Sequence, residues 1–174
     1  MLHTIGQSLL PVLMIMAALT DLSSFRIPNW ITGLIALLFF PMALATHMPL
    51  ETFGWHLLAG AVLFVAGFIL FSVGLFGGGD AKLMAAAGLW FGTSESLPFM
   101  VMTVMAGGAL AIAVALWSLI MTVAEMQGTD FEGNAILRAA RKVRPKLPYG
   151  FAFAIGGILA YPHSWWMSAA AGLT

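Results

Sequence analysis

Two carboxylates in this chain stand where a negative charge is hardest to keep. Asp21 follows an apolar run that begins at Ile5, and it precedes Leu-Ser-Ser-Phe-Arg-Ile-Pro-Asn. Asp80 lies in the stretch Gly74-Leu-Phe-Gly-Gly-Gly-Asp-Ala-Lys-Leu-Met84, between two further apolar runs. Ionisable groups at membrane depth are expensive and point to function by default. Two carboxylates brought close together cannot both ionise easily, so one keeps a proton while the other gives it up. Such a pair can activate water for attack on a peptide carbonyl and protonate the departing amide. The titration then belongs to the pair rather than to either residue. Nothing in the spacing shows that the two side chains meet.

Each residue also has a plainer reading. Asp21 can mark the exit of a helix from lipid, with Arg26 as its ion-pair partner, although an anion at a helix C-terminus opposes the macrodipole. Asp80 can be the N-cap of the helix that starts with Ala81-Lys82-Leu83. A cap alone does not call for Gly77, Gly78 and Gly79 before it. Glycine permits positive φ and close approach by another backbone, and broken helix is tolerated in a membrane only where protein or water satisfies it. Together these describe an opening in which an extended peptide can lie. Lys82 is two residues from Asp80, so it points to another helical face and snorkels to the interface.

The elements that must position these residues are helices in lipid. Of the 174 residues, 61% are hydrophobic and 8% charged, where a soluble domain carries about 25% charged residues. The chain reads as one all-α, polytopic membrane domain, residues 1–174, without a cleaved signal segment. Candidate spans are Ile5–Leu22, Trp30–Ala45, His56–Phe76, Ala81–Phe91, Leu97–Val123 and Leu147–Leu173, the last interrupted by Pro162. The fourth is too short to cross by itself at ordinary thickness. With six crossings, however, all seven basic residues (Arg26, Lys82, Arg138, Arg141, Lys142, Arg144 and Lys146) fall on one side, and the connections THMPLETFGW and GTSES carry none. The positive-inside rule makes that side cytoplasmic and places both termini outside. Asp21, Asp80 and Glu125 then stand at the cytoplasmic ends of spans.

The remaining features have bland explanations. Gly107-Ala111-Ala115 and Ala152-Gly156-Ala160 are small-residue stripes suited to helix packing. The cytoplasmic loop, about 124–146, ends in a basic amphipathic stretch, ILRAARKVRPK, suited to anionic headgroups. There is no cysteine, and the four histidines lack paired ligand spacing, so neither a metal nor a cofactor is expected. Nucleic acid is not an expected partner; membrane lipids are. A transporter or proton relay using the same aspartates, or a non-enzymatic scaffold, are the competing classes.

At this point the residues resemble a family. Asp21 followed by Ile27-Pro28-Asn29, then Gly77-Gly78-Gly79-Asp80-Ala81-Lys82-Leu83, then Pro148-Tyr149-Gly150, is similar to the prepilin peptidases, membrane aspartic peptidases with a GxGD signature. The resemblance implies that Asp21 and Asp80 are catalytic. It also implies that Gly77, Gly78, Gly79, Lys82, Pro28, Asn29, Tyr149 and Gly150 shape the site. It further implies removal of basic leader peptides from type IV prepilins and pseudopilins at the cytoplasmic face of the inner membrane, alongside pilus-assembly machinery. The short, cysteine-free chain looks like the branch acting on Flp-type pilins of tight-adherence systems, with no room for a methyltransferase segment. Glu125, Asp130 and Glu132 are expected to guide the basic leader.

Overall fold

The computed structural model describes residues 2–127 and 147–172. Among these there is no strand. The helices are α1 (Leu2–Ser24), α2 (Asn29–Ala45), α3 (Leu50–Ser72), α4 (Gly78–Met126), α5 (Tyr149–Ala160) and α6 (Trp165–Ala170), with a 3₁₀ turn over Tyr161–His163 between the last two. By length and composition, α3 and α4 are apolar enough to cross a membrane, and α2 is a shorter apolar helix. The basic stretch ILRAARKVRPK, with Asp130 and Glu132, lies outside the described residues.

The helix starts follow from proline and glycine. Pro28 and Pro49, with φ of −61° and −56°, occupy the cap positions of α2 and α3. A residue without an N–H loses nothing where the backbone donor would be unpaired anyway. Because α3 begins at Leu50, most of the expected THMPLETFGW connection is helical, and the link is only Thr46–Pro49. Glu51 in the first turn suits the positive end of the helix. Pro162 ends α5 at Ala160, as expected of a residue that cannot continue a helix. Gly74, at φ +78°, closes α3, and Leu75 and Phe76 donate back to the Leu70 carbonyl.

One break organises the bundle. Inside α4, Gly92 has φ 63° and ψ −173°, a non-helical conformation reserved for glycine. The rings of Phe91 and Phe99 stack with centroids 4.5 Å apart. Eight residues along a straight helix advance about 12 Å, so the chain turns sharply here and α4 is two arms, 78–91 and 93–126. The expected GTSES connection shrinks to this single glycine, and the Ser96 hydroxyl bonds the Gly92 carbonyl.

The turn frees carbonyls at the end of the first arm, and in apolar surroundings each needs a donor. His56 Nδ1–H donates to the Leu89 carbonyl at 2.7 Å, and Trp166 Nε1–H donates to that of Trp90 at 2.7 Å. Trp90 in turn donates to Ile35 across to α2 at 2.8 Å. Phe39 packs its ring against His56 and Trp166, which completes an aromatic plug at this end of the bundle. A Cβ on Gly92 would meet His56 Nε2 at 2.8 Å. We expect Gly92→Ala to lower stability by about 1–3 kcal/mol, visible as a lower midpoint of thermal unfolding in detergent.

From the turn, neighbours alternate in direction. Gly67 lies on Ala81 and Gly60 on Leu89, so α3 runs antiparallel to the first arm. Gly156 lies on Thr103 and Gly107 on Ala152, so α5 runs antiparallel to the second. Small residues let these backbones approach. The stripe on α5 is used as expected. On α4, Gly107 faces Ala152, Ala111 is half-buried and Ala115 is exposed. α1 packs along α5, with Met14 on Gly157 and Asp21 on Gly150.

Candidate active site

Asp21 is near the end of α1, where the helix exits through Phe25, a bulky residue held at φ 51°. Helices commonly stop with a glycine in that conformation; here the Phe25 N–H bonds the Asp21 carbonyl at 2.8 Å and Ser24 bonds the Thr20 carbonyl at 2.7 Å. The bend turns the chain at once into Arg26, Ile27 and Pro28. Asp80 comes from the other direction. Gly77 caps α4, and Asp80 is the third residue inside it, so the expected N-cap role shifts by one turn. Its Oδ2 accepts the Gly77 N–H at 3.0 Å, the acid half of a capping box. A first-turn position also gives this anion the favourable end of the helix dipole.

The fold brings the two carboxylates to one place. Asp21 and Asp80 are 5% and 9% exposed, and both line a cleft of about 250 Å³ with Phe25, Arg26, Ile27 and Gly77 to Gly79. They lie within electrostatic reach of each other. Asp21 Oδ2 accepts the Gly150 N–H at 2.7 Å from the start of α5. Among the described residues, no ion pair ties Asp21 to Arg26, so the plainer reading of Asp21 loses its partner.

Glycine placement has a steric cause. A Cβ on Gly79 would meet Ile27 Cβ at 3.1 Å and the Ile27 carbonyl at 3.3 Å. One on Gly77 would stand 2.9 Å from Asp80 Oδ2. One on Gly78 would make only ordinary contact with Phe71, at 3.6 Å. The glycines on either side of Gly78 therefore carry the requirement, and the middle one does not. At Gly150, a Cβ would press on Asp21 Cβ at 2.9 Å and Ile27 Cδ1 at 3.0 Å.

Other expected site residues lie elsewhere. Lys82 and Asn29 do not line the acidic cleft; Lys82 Nζ donates to Asn29 Oδ1 at 2.9 Å on the opposite side of the first arm of α4. Pro28 acts as the α2 cap. Tyr149 packs on Phe76, ring centroids 5.2 Å apart, so it braces the segment before the glycines. Glu125 stands near the end of α4. Gly107 faces Ala152, so the second arm runs about 25 Å past the level of Gly150, carrying Glu125 away from the cleft. Conversely, Phe25 and Ile27 form cleft wall that residue types alone did not single out, beside Arg26, which was expected as the ion-pair partner of Asp21. Ile27 was visible only as a letter of a motif, and the Phe25 bend has no glycine to announce it.

Fold and cleft together define a helical membrane protein with a buried pair of carboxylates under backbone-donor control. The model of the type IV leader peptidase family matches residues 8–123, which include Asp21 and Asp80. The chain belongs to that family, whose members are peptide-bond hydrolases acting on prepilin-type substrates. No curated protein and no solved structure matches it.

Proposed function

We propose that this protein is an aspartic endopeptidase that removes the leader of Flp-type prepilins at the cytoplasmic face of the inner membrane. The observation that carries the reading is the convergence of Asp21 and Asp80, from separate helices, in one small polar cleft within an apolar bundle. The unprotonated carboxylate takes a proton from water as the water oxygen bonds to the substrate carbonyl carbon. The protonated one gives its proton to the leaving nitrogen as the C–N bond breaks. The products are the leader's carboxylate and the mature chain's amine. Backbone amides of Gly150 and Gly77 hold the two acids in place without adding a competing charge.

The orientation follows from charge. Arg26 lines the cleft and Lys82 stands two residues beyond Asp80, so the acidic pair shares its end of the bundle with cations, which supports a cytoplasmic site under the positive-inside rule. Six rods of alternating direction suit six crossings with both termini outside.

Co-expression with an Flp-type prepilin tests this reading. The expected result is a faster-migrating pilin with wild-type protein and none with Asp80→Asn. Unprocessed pilin together with proton flux through reconstituted protein would instead favour a relay built on the same two acids.

A further inference from the structure

A second concavity lies on the far side of the first arm of α4. It holds about 460 Å³, nearly twice the acidic cleft, and runs between α2 and α3 over α4. Both helices pack on α4 but scarcely on each other; they meet through Phe39, Phe53 and His56 at the aromatic end. The groove is thus stoppered at one end and open along its length. Its walls are apolar, with Gly33 and Ala36 from α2, Gly60 and Phe64 from α3, and Ala85 and Leu89 from α4. At the open end stand Lys82 and Asn29, joined by their 2.9 Å hydrogen bond. Among the described residues, no carboxylate lines it.

We propose that this groove is a binding site for one anionic phospholipid. The acyl chain lies over Gly33, Ala36 and Ala85, and the headgroup phosphate accepts from the Lys82 ammonium and the Asn29 amide nitrogen. Three features select this occupant. The groove runs about 10 Å from Lys82 to Leu89. A short apolar groove open along its side takes the head-proximal part of one hydrocarbon chain. Among the described residues the charge on the rim is positive, which suits phosphate and disfavours a basic leader. The ammonium has further donors beyond the one given to Asn29. The bound lipid would also tie the first turns of α2 and α4 together beside the Ile27–Gly79 contact that floors the acidic cleft. That consequence rests on the peptidase reading, whereas the lipid site does not.

Native mass spectrometry of full-length protein, released from nanodiscs of equal phosphatidylglycerol and phosphatidylcholine, tests the site. One phosphatidylglycerol is expected to stay bound in preference to phosphatidylcholine, and excess inorganic phosphate should not displace it. Lys82→Gln should weaken retention about five-fold, the share one lysine holds against an anionic headgroup. Gly33→Leu should abolish it by filling the groove. A Cβ at Gly33 meets nothing within 4 Å, so this variant should keep its unfolding midpoint. Unchanged retention in either variant would overturn the proposal, as would loss of a dimer mass rather than a lipid mass in Gly33→Leu. The count uses no substrate and should be the same in an Asp80→Asn background. Lost peptidase activity with retained lipid would strike only the functional reading.

Discussion

Asparagine at position 21 or at position 80 leaves prepilin cleavage slower by about 10²–10⁴-fold, the contribution of a positioned acid or base, while the protein still inserts and unfolds at a near-normal temperature. Asparagine keeps an oxygen for the Gly150 or Gly77 amide, so the hydrogen bonds of 2.7 Å and 3.0 Å survive. What it cannot do is exchange a proton. The effects should not add. If the two acids act as one unit, the double variant is about as slow as either single one, because the second substitution removes nothing still working. Initial cleavage rates on purified proteins with a synthetic prepilin segment decide this. A double variant slower by the product of the two single effects would mean independent roles. A large loss of thermal stability without loss of rate would mean that both acids are structural.

The second large effect comes from a residue that performs no chemistry. Gly150→Ala is expected to slow cleavage about 100-fold, because displacement of a catalytic group by an ångström costs on that scale. The added methyl would lie 2.9 Å from Asp21 Cβ and 3.0 Å from Asp21 Oδ2, with Ile27 Cδ1 on its other side, so the carboxylate must move. Gly78→Ala supplies the contrast. It adds the same methyl beside Asp80, yet the nearest atom is a Phe71 ring carbon at 3.6 Å, and the rate should fall less than about threefold. The drop in Gly150→Ala should appear in kcat more than in KM, since Gly150 supports the acid rather than the substrate. Equal rates for the two alanine variants would show that the Gly150 contact does not position Asp21.

Much of the helical plan was legible because lipid leaves few choices. Long apolar runs must be helical, and Pro28, Pro162 and Gly74 punctuate them for local reasons of missing donors or positive φ. The first turn of α4 was less legible. Asp80 reads as a cap by residue type, but the cap is Gly77, and that depends on where Phe76 leaves the helix axis. Gly92 was harder still. Five polar or small letters suggest a loop, whereas one glycine makes the whole turn because His56 and Trp166 arrive from other elements to hold the carbonyls it frees. Lys82 and Asn29 sit beside the acidic residues in sequence, yet they face a different groove, since two residues along a helix rotate a side chain about 200°.

The sequence by itself determined a membrane-embedded bundle, the pair of acids worth watching, and the glycines beside one of them. It did so because burial of charge and the conformational freedom of glycine are local matters of residue type. Only the tertiary structure decided that Asp21 and Asp80 share a cleft, that Gly150 from a distant helix donates to one of them, and that Ile27 crowds position 79 while Asp21 crowds position 150. Those contacts join segments far apart in the chain, and no local rule of spacing can specify a distance that packing alone sets.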